Sequence, residues 1–151
     1  MGLDQYLNAK RYVSQYSDKE LSESLNTIAR PKTGGMPVKG ITCEAMYWRK
    51  ANAIHDWFVQ NVQNGNDDCG EYPVSREQLE DLVEDCKKVL ADHSLAAELL
   101  PPCAGFFFGS TQLDEWYFAN LQDTIDSITK VLEDTGVDDL GFWDFTYYSS
   151  W

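Results

Sequence analysis

Val38-Lys39-Gly40-Ile41-Thr42-Cys43-Glu44-Ala45-Met46-Tyr47-Trp48-Arg49-Lys50-Ala51-Asn52-Ala53-Ile54-His55-Asp56-Trp57-Phe58 changes character halfway. Its first half, Val38 to Trp48, carries β-branched and aromatic residues with no proline inside, the composition of a strand. From about residue 49 to 63, Ala51, Ile54, Phe58 and Val62 recur at helical spacing, which predicts an amphipathic helix. A strand that runs straight into a helix, without the regular β-α alternation of a parallel sheet elsewhere in the chain, points to an α+β fold.

The flanking segments agree. Gly2 to Leu7 reads as a short strand, and Ser17 with Glu20 as a capping box that opens a helix over about 18–29. Pro31, Gly34, Gly35 and Pro37 then predict a loop. Tyr72 to Val74 is a short strand candidate, and Ser75 with Gln78 caps a helix over about 76–93. A turn of helix is expected at 95–100, before Pro101-Pro102, and Phe106 to Phe108 is a candidate buried strand. Ser110 or Thr111 is expected to cap a long helix to about Asp134, stopped by Gly136, and Phe142 to Tyr148 closes the chain as a strand. The expected architecture is one α+β domain over 1–151, with three long helices packed on a small antiparallel or mixed sheet.

The chain has 151 residues with 12 basic and 25 acidic side chains, a formal charge of −13. That balance opposes non-specific nucleic-acid binding, which needs a basic footprint, and docking on anionic membranes. Residues 1–88 hold 11 basic and 14 acidic residues, whereas 89–151 hold Lys130 against 11 acids. An anionic ligand would therefore be received by the first half. Cys43, Cys69, Cys86 and Cys103 form no CxxC pair and no histidine stands at a metal-site spacing, so no metal or cofactor is expected. The start of the chain has no secretion-signal pattern, and a reduced, cytoplasmic setting is expected.

Arg49 and Lys50 break a local rule. They fall where the first helical turn is predicted, and the helix macrodipole disfavours cations there. Two cations beside free helix-end N–H groups make a pocket for phosphate or carboxylate. His55 and Asp56 lie three and four residues after Asn52, a spacing that lets the three share one face with Trp48, which adds polar groups and a stacking ring. The plainer reading pairs Arg49 and Lys50 with nearby acids and puts Trp48 and Trp57 in the core. Gly105-Phe106-Phe107-Phe108-Gly109-Ser110-Thr111 is a second anion-accepting turn candidate; it lacks the lysine of a P-loop, and its plainer reading is a core strand with an N-cap. Tyr117, just after it, suits either core or cleft. The Asn64–Tyr72 loop has Cys69 where a calcium loop needs glycine. The candidate ligand-binding residues are thus Trp48, Arg49, Lys50, Asn52, His55, Phe106, Phe108, Ser110, Thr111 and Tyr117, with no catalytic or metal-binding residue.

Met1 to Leu7, Tyr47 to Phe58, Cys69 to Leu79, and Leu99-Leu100-Pro101 with Gly105 to Thr111 together resemble a family of small phage-encoded proteins of about this length. Some of that family carry a phosphoadenosine-phosphosulfate-reductase label. The chain lacks the pyrophosphate loop that chemistry needs, because Gly34-Gly35 is followed by Met36. In size and setting the family is similar to anti-defence sponges, which sequester nucleotide signals. The resemblance and the residues both suggest a binder of a small anionic, nucleotide-like ligand, with no nucleic acid or membrane partner and with room for self-association. The alternatives are an acidic protein-interaction inhibitor that mimics nucleic acid, and a small nucleotide phosphodiesterase using His55 with Asp56.

Overall fold

The computed structural model describes residues 2–105, 107–136 and 143–151. Four strands, β1 (Asp4–Tyr12), β2 (Gly40–Arg49), β3 (Tyr72–Val74) and β4 (Trp143–Ser150), form one antiparallel sheet in the order β2-β1-β4-β3. Five α-helices lie among the described residues, not three: α1 (Lys19–Thr33), α2 (Asn52–Asn61), α3 (Arg76–Ala91), α4 (Ala96–Leu99) and α5 (Glu115–Asp134). The fold is α+β with an antiparallel sheet, and no described helix is long and apolar enough to cross a membrane.

The sheet is covered on one side. In β1 and β4 burial alternates residue by residue, with Gln5, Leu7, Ala9, Phe145, Tyr147 and Ser149 inward, the period-2 pattern of a half-buried antiparallel sheet. β1 is central, paired with β2 from Asp4↔Arg49 to Tyr12↔Gly40 and with β4 from Asp4↔Ser150 to Arg11↔Trp143. The β1–β2 register shifts after Leu7, which faces Met46 while Asn8 faces Glu44. Over the inner face, α2 buries seven of its ten residues, and the Phe58 ring stacks on Tyr147 at 3.9 Å between centroids. The Trp48 indole is buried and donates to Thr124 Oγ1 of α5 at 2.8 Å.

Several predicted boundaries move. β1 continues to Tyr12, because its pairing with β2 and β4 extends past Leu7. α1 starts after Asp18, which makes no side-chain cap, and runs through Pro31 to a left-handed Gly34. The Gly34 N–H donates to Arg30 O at 3.1 Å and closes the last turn. The box of Ser75 and Gln78 opens α3 as expected. Phe107 and Phe108 form no strand: Phe108 N donates to Gly105 O at 3.2 Å and closes a tight turn. A Cβ at Gly105 would lie 2.5 Å from the Phe108 ring, so the turn requires glycine. α5 starts at Glu115, capped by Asp114, whose Oδ1 accepts from Tyr117 N at 3.0 Å. Ser110 and Thr111 therefore precede the helix and do not cap it.

α3 and α5 pack together around Cys86 and Tyr117. The Tyr117 hydroxyl donates to Leu100 O at 2.8 Å. Burial pushes the Cys86 thiol from 9.0 up to about 12 and the Tyr117 phenol from 10.0 up to about 12. The unfolded chain sheds these two protons from about pH 9 upward while the folded chain keeps them, so their contribution is complete below pH 9 and is lost as pH rises toward 12. Thermal melts followed by circular dichroism are expected to show Tm falling from pH 9 to pH 11. Cys86→Ala should flatten the decline.

Candidate functional site

β2 ends at Arg49, and the chain turns at Lys50 with φ +56°. This left-handed conformation is costly for a side chain bearing a Cβ and places the lysine against the opposite loop. The Lys50 N–H donates to Leu3 O at 2.8 Å, which fixes the turn against β1. Arg49 and Lys50 therefore stand just before α2 and outside its first turn, which corrects the predicted helix start at 49. Ala51 is the N-cap and offers no side-chain acceptor, and the first turn of α2 holds no acid. The first helical bond runs from His55 N to Ala51 O, leaving the amides of Asn52, Ala53 and Ile54 without a partner among the described residues.

A cleft of about 440 Å³ opens over this helix end. Arg49 to Ile54 form one wall, Gly109, Ser110 and Gln112 a second, and Trp116, Tyr117 and Asn120 of α5 a third. The two segments singled out for different reasons in the sequence thus line one cleft. Gly109, at φ +94°, lets the loop approach closely, since a Cβ there would lie 3.1 Å from Lys50 Cβ. The acid in this lining, Asp114, is engaged in capping α5.

Charge pairing sharpens the picture. Lys10, Arg11, Lys19, Arg76, Lys87, Lys88 and Lys130 each sit within ion-pair distance of a carboxylate. Arg49 and Lys50, like Arg30, Lys32 and Lys39, have no such partner among the described residues, although acids outnumber bases by 25 to 12 in the chain; of these five, Arg49 and Lys50 stand in the cleft. The plainer reading holds for the tryptophans, since Trp48 and Trp57 are buried, and not for the cations.

The remaining candidates sort by position. Asn52 lines the cleft, but its amide is engaged: Nδ2 donates to Phe108 O at 3.1 Å and Ser110 O at 2.9 Å, and Oδ1 accepts from Cys103 N at 3.0 Å. It ties the 103–110 loop to α2. His55 is 1% exposed and lies behind the cleft, with Nδ1 2.7 Å from the Tyr147 hydroxyl. Its Nε2 sits 3.1 Å from Asp67 Oδ2, close enough to interact but misaligned for a hydrogen bond. Phe108 is buried edge-on to His55 at 5.4 Å. Trp48 is core, Thr111 is exposed beyond the lining, and Phe106 lies outside the described residues. Ser110 and Tyr117 line the cleft. Burial, and then the carboxylates of Asp56 and Asp67, push the Cys103 thiol up and away from the reactive thiolate.

Sequence reasoning missed Gln112, Trp116 and Asn120 as lining residues. Residues 116, 117 and 120 fall on one face of α5, which their spacing already implied; what the sequence did not show is that this face turns toward the end of β2. Trp116 is 79% exposed, so an indole without a buried partner stands at the mouth of a cation-bearing cleft. No family model, curated protein or solved structure matches the chain.

Proposed function

We propose that the protein binds a small phosphorylated, nucleotide-like ligand in this cleft and holds it without turnover. The reading rests on one observation: Arg49 and Lys50, without an ion-pair partner among the described residues of a strongly acidic chain, share a cleft with the N-terminus of α2, which has no side-chain cap. Phosphate would take the two cations and the free amides of Asn52, Ala53 and Ile54. Gln112, Asn120 and the Ser110 hydroxyl would hydrogen-bond a sugar or base, and Trp116 would stack on the ring in place of the buried Trp48. The volume lies within the range of about 300–1,000 Å³ usual for small-molecule sites. Holding without turnover fits the position of His55, which is buried and engaged with Tyr147 and so is not presented to the cleft as a general base. The same reading accommodates a phage-encoded sponge that withdraws a nucleotide signal.

Isothermal calorimetry with a panel of linear and cyclic nucleotides tests this. Binding is expected for at least one, weakening as salt rises, with the ligand recovered intact afterwards. No heat with any member, or a chemically altered ligand, overturns the reading. Trp116→Ala is expected to weaken the bound nucleotide by about tenfold, the loss of one base–aromatic stack. Its melting temperature should stay unchanged, because the side chain supports nothing in the core.

A further inference from the structure

α1 is an amphipathic helix whose apolar stripe is only partly covered among the described residues, with Leu21 and Leu25 half-buried and Ile28 exposed. Leu21, Leu25 and Ile28 lie on one face, yet Ser22 is its one buried residue, and α1 makes no substantial contact with another helix or strand. Ile28 is 79% exposed, and the flanking Tyr16 and Met36 are 86% and 70% exposed. A helix of 15 residues is marginal in water unless its apolar face is covered. Polar ties help hold it to its own chain: Arg11 pairs with Asp18 at 3.1 Å, and Asn26 Oδ1 accepts from Val38 N at 2.7 Å.

This arm is also the basic part of the molecule. Residues 10–39 hold six basic and three acidic residues, +3, which leaves six basic and 22 acidic residues, −16, in the remainder. Arg30, Lys32 and Lys39 have no ion-pair partner among the described residues. A complementary surface lies at the root of the arm. Between α5 and the sheet is a groove of about 400 Å³ with Cys43, Ala45, Val131 and Trp143 in its walls and Glu44, Asp134 and Lys130 beside them; Asp134 pairs with Lys130 at 2.9 Å, and Glu44 has no ion-pair partner among the described residues. No residue of α1 lines it.

We propose that the arm docks on a second copy of this chain, with the stripe of α1 in the groove and its cations against the acids around it. The second copy's arm returns the contact. Arm root and groove adjoin, since Ala9 pairs with Cys43 two residues from the Arg11↔Ile41 pair. Arm and groove would then form one self-complementary patch, as an isologous dimer requires.

Sedimentation velocity on the full chain is expected to give a dimer, twice 17.2 kDa, that dissociates as salt rises. Ile28→Glu, and separately Arg30→Glu with Lys32→Glu, should each raise the dimer dissociation constant by about tenfold or more. Any loss of helical circular dichroism should be confined to the share of α1, because these side chains are exposed and stand outside the core. Under mild oxidation, Ile28→Cys should cross-link to Cys43, and mixing isotope-labelled with unlabelled chains should place the link between two chains. A monomer at every concentration, a link within one chain, or a dimer indifferent to both arm variants, as edge-to-edge pairing of β2 would be, overturns the proposal.

Discussion

Asn52→Ala is expected to destabilise the protein by about 3–5 kcal/mol, because one short side chain closes three hydrogen bonds to a loop more than fifty residues away. Removing it leaves the Phe108 and Ser110 carbonyls and the Cys103 amide without their partner at the edge of the core, and a gap where the 4%-exposed amide stood. For a chain of 151 residues that corresponds to a fall in Tm of about 10 °C or more. Asn52→Asp, nearly the same shape, should not rescue. A carboxylate still accepts from Cys103 N, but it donates to neither carbonyl and sets a charge against two oxygens. Hydrogen exchange should show the 103–111 loop opening before the sheet. Since that loop forms a wall of the cleft, ligand affinity should fall with it. A Tm within 2 °C of the parent for the alanine variant would show that the loop is held by something else.

Asn52 also shows where the sequence stops being legible. Hydrophobic period and capping chemistry located α3 almost to the residue and placed β3 and most of β2 and β4, since these are local properties. They did not reveal what a polar side chain on a helix would meet. Asn52 and His55 share a face, as their spacing implies, but the face turns inward because Tyr147 and the carbonyls of Phe108 and Ser110 lie behind it. Those partners are 92, 56 and 58 residues away in sequence. The Phe106–Phe108 run read as a strand on composition alone. The close approach of Gly105 to the Phe108 ring makes Phe107–Phe108 a turn instead. Arg49 and Lys50 drew attention for the opposite reason: a cation pair next to a helix start is a local conflict visible in the sequence, and such conflicts are candidates for function; the structure places both in the wall of the cleft.

Lys50 makes that conflict measurable, and its substitutions should move stability and binding in opposite directions. A left-handed backbone costs a residue with a Cβ about 1–2 kcal/mol relative to glycine. Lys50→Gly is therefore expected to raise stability by about 1 kcal/mol, while Lys50→Ala keeps the left-handed strain and leaves Tm near the parent value. Both remove the ammonium, and a charge-assisted hydrogen bond is worth about 1.5–3 kcal/mol, so each should weaken a phosphorylated ligand by about tenfold or more. The double variant Arg49→Ala, Lys50→Ala should weaken it by about a hundredfold to a thousandfold, since each 1.4 kcal/mol is a factor of ten. It should also flatten the salt dependence, because the two cations responsible for it are gone. Calorimetry and thermal melts on the same four proteins separate the outcomes. Equal affinity in parent and double variant would remove the cleft cations from the binding site. A Lys50→Gly protein less stable than Lys50→Ala would mean that the turn depends on the Cβ packed against Gly109 and stores no strain. A rise in Tm together with a loss of affinity is the signature of a residue retained for its charge at the expense of its backbone.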